Sequence, residues 1–299
     1  MSSHHAAPVD LLGVLGPVVA LLALLAYAVL VARARRRGRA WSLLRTVSWA
    51  GGCLVATLAV SGPLATAAAT SRTAHMAGHV LLGMLAPLLL VLGAPVTLAL
   101  RALPVHAARR LSHVLRSRPV RLLTVPTVAA VLDLGGLWLL YGTPLLERAQ
   151  AYPLAYAVLQ AHVLLAGYLF TAVLVGPDPL PHRRPARHLL VVLVLALAAH
   201  DVLAKRLYAT AGGPDLLDEQ RGALVMYYGG DAVDLLLAVL VYARWYRSAR
   251  PRERGAGQRP RGRAQAGADT ARPCSAAAVA SRSSNVMTAS APMASADAR

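Results

Sequence analysis

Residues 73–98 read TAHMAGHVLLGMLAPLLLVLGAPVTL. The stretch is long and apolar enough to cross a bilayer, which takes about 20 mostly apolar residues in a helix. It begins with two histidines four residues apart, His75 and His79, and it contains Pro87 and Pro95. We therefore predict a membrane-spanning helix with a histidine pair at one end. That pair is unusual because polar side chains are costly inside a membrane.

The rest of the chain has the composition of a polytopic membrane protein. Of its 299 residues, 57% are hydrophobic, and the mean hydropathy of +0.52 is too high for a water-soluble domain of this size. The formal net charge is +18, but the basic residues lie between the apolar runs and near the C-terminus. We therefore predict no nucleic-acid partner.

The apolar runs predict an all-α polytopic membrane protein with seven transmembrane helices. They lie near residues 10–32, 46–69, 75–100, 122–141, 153–175, 187–208 and 222–245. Barrel strands are excluded because such strands alternate polar and apolar residues. The predicted organisation is an extracytoplasmic N-terminus at residues 1–9, a seven-helix domain at 10–247 and a disordered basic cytoplasmic tail at 248–299.

The distribution of arginine predicts the orientation. Basic residues close to the ends of spans stay on the cytoplasmic side of the membrane. The first, third and fifth loops are rich in arginine, whereas the second and fourth hold one arginine each. We therefore expect the N-terminus outside and the C-terminus in the cytoplasm. The first run is not expected to be a cleaved signal peptide, because its basic cluster follows it.

Ionisable side chains inside the spans are the candidate functional residues. Counted at 1.5 Å per residue, four of them lie about 12–14 Å below the outer ends of their spans. These four are Asp133, His162, His200 and Asp231. His79 lies about 6–9 Å below the outer end by the same rise, with His75 one turn above it. The sequence thus predicts a polar region in the outer half of the membrane.

The histidine spacing favours a metal site. His75 and His79 share one helix face, where two imidazoles can bind one ion. Met76 offers a thioether, which would favour Cu(I), although packing is the commoner role of a membrane methionine. Asp133 and Asp231 have no evident cationic partner, and a buried carboxylate must be protonated or face a cation. Interhelical hydrogen bonding alone is the alternative interpretation of these residues.

Three stretches carry a resemblance to a known family. They read HMAGHVLLGMLAPLLLVLGAPVTLALRALP from residue 75, AHVLLAGYLFTAVLVGPDPLP from residue 161 and DEQRGALVMYYGGD from residue 218. They resemble the multi-spanning CtaG family of bacterial cytochrome c oxidase assembly factors, over about residues 10–247. The positions that match family motifs are His75, His79, Pro87, Gly93, Ala94, Pro95, His162, Gly176, Asp178, Pro179, Asp218 and Gln220.

The resemblance implies an assembly factor, not an enzyme, that helps to mature a haem-copper oxidase. Copper would be bound or delivered at the outer face of the bacterial cell membrane. The implied partners are the lipid bilayer and cytochrome c oxidase subunits, with a copper donor protein as a further candidate. The predicted metal ligands are His75, His79, His162 and His200, supported by Asp133, Asp231 and Met76.

Two other functions fit the same residues. An intramembrane metal-dependent hydrolase would attack a lipid amide with metal-bound water. A copper transport or resistance permease would use buried aspartates and histidines as an ion pathway. The sequence has no recognisable repeat and no broken helices in paired positions, which counts against the permease.

Overall fold

A computed structural model describes residues 8–179 and 185–249, and within these ranges the chain is helical with no strand. The helices are α1 (Pro8–Arg36), α2 (Leu43–Val60), α3 (Pro63–Ala67), α4 (Arg72–His79), a π-helical turn (Val80–Leu85), α5 (Ala86–Leu92), α6 (Pro95–Ala102), α7 (Val105–Leu115), α8 (Arg118–Leu123), α9 (Pro126–Gly142), α10 (Leu145–Gln150), α11 (Pro153–Val175), α12 (Ala186–Thr210) and α13 (Leu216–Ala249). The all-α prediction is confirmed for these residues. The predicted N-terminal segment and tail lie almost wholly outside them.

Six segments are long and apolar enough to cross a membrane. They are Leu11–Arg36, Leu43–Ala67, Arg72–Ala102, Pro153–Val175, Arg187–Thr210 and Leu216–Arg247. The fourth predicted span corresponds to α9, an apolar helix of 17 residues, which is about 25 Å long at 1.5 Å per residue. The third segment is the most enclosed, with 50% of its apolar window buried against 11% for the first. The segment with the histidine pair is therefore the centre of the bundle.

This central segment is not one continuous helix. The first part of the segment ends at Ala94, which has the left-handed dihedrals φ 51° and ψ 54°. A new helix, α6, begins at Pro95. A break inside a membrane protein leaves backbone groups that neighbours must satisfy. The Tyr27 hydroxyl donates to the Gly93 carbonyl at 2.8 Å. On the other side of the break, Asp178 accepts hydrogen bonds from the first turn of α6.

Neighbouring helices enclose the central segment. α4 packs against α13, α5 packs against α2 and α11, and α9 packs against α11 and α12. The approach of α11 is very close at Gly167, where a Cβ atom would overlap the Gly83 carbonyl oxygen of the π-helical turn. Leu88, Phe170 and Leu237 lie in the apolar cluster next to this contact. The histidine end of the segment is thereby held among α9, α11, α12 and α13.

Two boundaries differ from those expected from hydropathy. The last helix begins at Leu216, six residues before the predicted span, so Asp218 and Glu219 lie in its first turn and not in a loop. Acidic residues are stabilising there because the helix dipole is positive at its N-terminus. The third predicted loop contains the two short helices α7 and α8. Hydropathy marks the membrane core and therefore misses such polar helical ends.

Candidate functional site

The histidine pair lies where α4 passes into the π-helical turn. His75 is inside α4, and His79 is its last residue. The turn that follows has a wider hydrogen-bonding pattern, since the Ala86 amide donates to the Leu81 carbonyl five residues earlier. Such turns are rare and occur often at functional sites. The regular α-helical pattern therefore ends at His79, directly before the turn.

Tyr141, near the end of α9, contacts both members of the pair. Its hydroxyl lies 3.1 Å from Nε2 of His75. Its ring meets each imidazole edge-on, with 6.0 Å between ring centroids in both cases. One ring nitrogen of His75 is thus engaged by Tyr141. Both imidazoles of the pair are arranged around the Tyr141 phenol.

His79 faces a cavity of about 50 Å³ in the middle of the bundle. The polar residues in its lining are His79, Asp133, His162, Thr171, His200 and Asp234. The apolar lining includes Leu88, Phe170 and Leu237. The structure therefore brings together three of the four predicted histidines and one of the two predicted aspartates. We refer to this space as the histidine cavity.

Glycines make room for the imidazoles. A Cβ atom on Gly230 of α13 would overlap Cε1 of His200, and one on Gly136 of α9 would lie 2.7 Å from Nε2 of His162. These helices therefore approach the two imidazoles with bare backbone. The rings are packed more tightly than any other residue at positions 136 and 230 would allow.

The imidazoles of His79 and His200 have unsatisfied nitrogens. Nε2 of His79 and both ring nitrogens of His200 are buried without a hydrogen-bond partner. The two rings lie nearly parallel, with centroids 6.4 Å apart and 22° between their planes. A buried polar atom without a partner costs about 1–3 kcal/mol. Two such imidazoles side by side could bind a metal ion through their ring nitrogens.

The carboxyl groups form two sets near these rings. Asp133 and Asp234 line the histidine cavity. Asp231 and Asp201 lie close to each other beside His200. Asp234 was not predicted as a site residue, although it lies three residues after Asp231 on α13, about one helical turn away.

The other predicted residues are placed less directly than His79 and His200. Met76 is 1% exposed and packs in an apolar cluster with Leu137, Leu203 and Met226. His162 reaches the cavity from a position that is exposed on the outside of α11. Among the described residues, no group of three or more His, Cys, Asp or Glu side chains is arranged closely enough to hold a metal ion. A third ligand would require a side chain such as His162 to move.

Two motif aspartates hold the start of the central segment and its internal break. Asp218 accepts hydrogen bonds from the Arg72 and Thr73 amides and, at 3.0 Å, from the Ser71 hydroxyl, all at the start of α4. Asp178 accepts from the Val96 and Thr97 amides at the start of α6, at 3.2 and 2.7 Å. Both carboxylates therefore cap a helix that belongs to another part of the chain. Asp218 thereby orients the helix that carries the histidine pair without contacting the histidines.

Replacement of Asp218 by Ala tests this orienting role. The first amides of α4 would lose their acceptors, and we expect a loss of about 1 kcal/mol of stability and a lower Tm of the full chain in detergent. Arg221→Ala is the matched control, since Arg221 is exposed on the same helix three residues after Asp218. Equal Tm values for the two variants would contradict the capping role.

Curated mycobacterial proteins are similar to this chain. An uncharacterized protein of Mycobacterium tuberculosis is 36% identical over 183 residues, which cover 59% of this chain and 27% of that protein. An uncharacterized protein of Mycobacterium leprae is 28% identical over 237 residues, covering 72% of this chain and 36% of that protein. The chain thus spans about a quarter to a third of the length of these curated relatives. No solved structure shows significant similarity.

The profile of a cytochrome c oxidase assembly family matches residues 25–248, a range that includes every residue of the histidine cavity. The match covers most of the described helices and confirms the resemblance carried by the three sequence stretches. The chain belongs to the cytochrome c oxidase caa3 assembly factor family, Caa3_CtaG.

Proposed function

We propose that this protein holds copper in the histidine cavity while a haem-copper cytochrome c oxidase is assembled in the bacterial cell membrane. His79 and His200 would be the first ligands, and His162 would complete the set. Copper suits imidazole ligands, and bound copper would supply the ion that the oxidase needs for its own centre. The observation that carries the proposal is the pair of buried, unpartnered imidazoles, His79 and His200.

The donor set fits copper in its chemistry. The cavity offers three imidazoles, two carboxyl groups and no cysteine in its lining. Asp133 and Asp234 would balance the charge of a bound cation and orient the imidazoles through hydrogen bonds, as carboxylates commonly do around metal-binding histidines. His75 and Met76 would then act outside the final ligand set.

We further propose seven spans, with the N-terminus outside and the C-terminus in the cytoplasm. In this arrangement α9 also crosses the membrane, as the fourth of seven spans, in addition to the six longer segments. Its length of about 25 Å is short for a hydrocarbon core of about 30 Å, but local thinning of the bilayer can accommodate a short helix. Arginines in the first and third loops support this orientation. The end of the bundle with His75 would then face outwards.

The cavity volume favours copper storage over the hydrolase alternative. At about 50 Å³ the histidine cavity has room for an ion and a few water molecules. Pockets for organic ligands measure about 300–1,000 Å³, so a lipid amide would not fit without a large rearrangement. The permease alternative makes a different prediction, because it requires copper flux in sealed vesicles, and an assembly factor requires none.

Deletion of the gene tests the proposal. We expect reduced-minus-oxidised spectra of the membranes to show less mature oxidase, and the oxidase that remains to contain less copper. Restoration by the wild-type gene, but not by a gene encoding His79→Ala and His200→Ala together, would tie the defect to the histidine cavity. Oxidase with normal spectra and normal copper content after deletion would overturn the proposal.

A further inference from the structure

A second cavity lies at the end of the bundle nearest to His75. It is formed where α4 and α13 begin and where α9 and α12 end, and its volume is about 210 Å³. Its polar side chains are Arg72, Tyr141, Thr143, Glu147, Thr210 and Glu219. We call this space the vestibule. The sequence analysis assigned no role to Thr143, Glu147 or Glu219.

The vestibule and the histidine cavity are separated by a thin layer of side chains. Tyr141 and Met76 line the vestibule, and the Tyr141 ring meets His79, which lines the histidine cavity. Leu140 lines both spaces. The layer therefore consists of one phenol and its immediate neighbours. No other described residue is shared between the two linings.

The charges of the vestibule suit a cation that passes through. Two carboxylates, Glu147 and Glu219, accompany one guanidinium, that of Arg72. The Glu219 carboxylate is fixed by the Gly212 amide, which donates to it at 3.0 Å. Acidic groups in a cleft with low-dielectric walls raise the local concentration of cations and their association rate. This mild excess of negative charge attracts a cation without binding it tightly.

Two further donors adjoin the vestibule. Met76 is one of its lining residues. His75 is not in the lining, but its Nε2 lies 3.1 Å from the hydroxyl of Tyr141, which is a lining residue. Rotation of Tyr141 away from α4 would break that hydrogen bond and open the layer in one movement. It would also free His75 next to Met76, one helical turn from His79.

We propose that the vestibule is the route by which a cation reaches the histidine cavity, that Tyr141 closes this route, and that His75 and Met76 hold the cation in transit. The inference rests on the proposed copper-binding function. It gives separate tasks to the residues of the pair. His79 belongs to the resting site, and His75 belongs to the passage that leads to it.

The kinetics of Cu(I) binding test the route. The probe is Cu(I) supplied as its bicinchoninate complex to the full chain in lipid nanodiscs, with Cys53→Ala and Cys274→Ser to remove competing thiols. A closed route with a minor open state of about 0.1–10% slows binding in proportion. We therefore expect Tyr141→Ala to raise the association rate about tenfold or more, with the amount of Cu(I) bound at equilibrium unchanged. Tyr141→Phe keeps the ring and should raise the rate less.

A blocking experiment does not depend on the folding of the Tyr141 variants. Thr143→Cys, at an exposed position in the vestibule lining, is modified with a bulky maleimide. Arg116→Cys, exposed in the segment between α7 and α8, is the matched control. We expect the label at position 143, and not the label at position 116, to slow Cu(I) binding about tenfold or more, by the same gating argument.

The outcomes separate the two proposals. If the wild-type chain binds no stoichiometric Cu(I) at equilibrium, the proposed function fails and the route fails with it. If Cu(I) binds but neither Tyr141→Ala nor the label at position 143 changes the rate, the route alone is overturned. Equal slowing by the labels at positions 143 and 116 would also overturn it.

Discussion

Replacement of His79 by Ala, or of His200 by Ala, is expected to abolish high-affinity copper binding and with it the maturation of the oxidase. Each variant removes one of two adjacent imidazoles, and Nε2 of His79 and both ring nitrogens of His200 are buried without a hydrogen-bond partner. Loss of a residue that merely orients a ligand costs about 10–100-fold in metal affinity, so loss of a ligand should cost more than about 100-fold. The measurement is competition for Cu(I) against a chelator of known affinity, with the purified full chain.

Two further variants give this prediction its controls. His113→Ala removes an exposed histidine of α7 and should bind copper as the wild-type chain does. His75→Ala should lower the rate of binding more than the affinity, because we place His75 in the passage and it does not line the histidine cavity. Affinity equal to that of the wild type in both His79→Ala and His200→Ala would remove the copper site from this cavity.

A methyl group added at Gly230 is expected to damage the site as severely as the loss of His79 or His200. The Cβ atom of Gly230→Ala would overlap Cε1 of His200, whose side chain is only 3% exposed and has little room to move. Overpacking of this kind costs about 1–3 kcal/mol, and relief of the overlap would displace the imidazole from its present position beside His79. We expect Gly230→Ala to lose copper binding while the chain remains helical by circular dichroism.

The neighbouring glycine offers a matched control for that variant. A Cβ atom on Gly229 would lie 3.4 Å from two Val80 methyl carbons, which is ordinary van der Waals contact. Gly229→Ala should therefore bind copper normally, and alanine's higher helix propensity should leave α13 at least as stable. Copper binding that is retained in Gly230→Ala, or lost equally in both variants, would contradict the close packing around His200.

Much of the site could be predicted from hydropathy and from the depth of each polar residue along its span. Counting residues from the span ends placed His162, His200 and Asp133 at one level, and all three line the same cavity as His79. Depth does not give the rotation of each helix about its axis, because that rotation is fixed by packing between helices. For this reason we predicted Asp231 and Met76 as supporting residues of the site, whereas the structure places Asp234 in the lining and Met76 in an apolar cluster.

Other features depend on partners that are distant in the chain. The hydrogen bond between His75 and Tyr141 joins residues 66 positions apart. The sequence around His75 and the sequence around Tyr141 do not predict it. The caps provided by Asp178 and Asp218 were visible only as motif positions, since an aspartate in a loop does not reveal which helix it will cap. The short α9 fell within the predicted fourth span because apolar content, and not helix length, defines a hydropathy run.

The π-helical turn at Val80–Leu85 accommodates one residue more than an α-helical turn would, since its hydrogen bond spans five residues and not four. Removal of one residue from this turn would therefore leave an ordinary helix whose two flanks keep nearly their present relative rotation, and His75 and His79 would keep their neighbours. Removal of one residue from the α-helical part that follows, Ala86–Leu92, would instead rotate everything before it by about 100° and shift it by about 1.5 Å. The same deletion is therefore tolerated or damaging according to whether it falls in the turn or beside it.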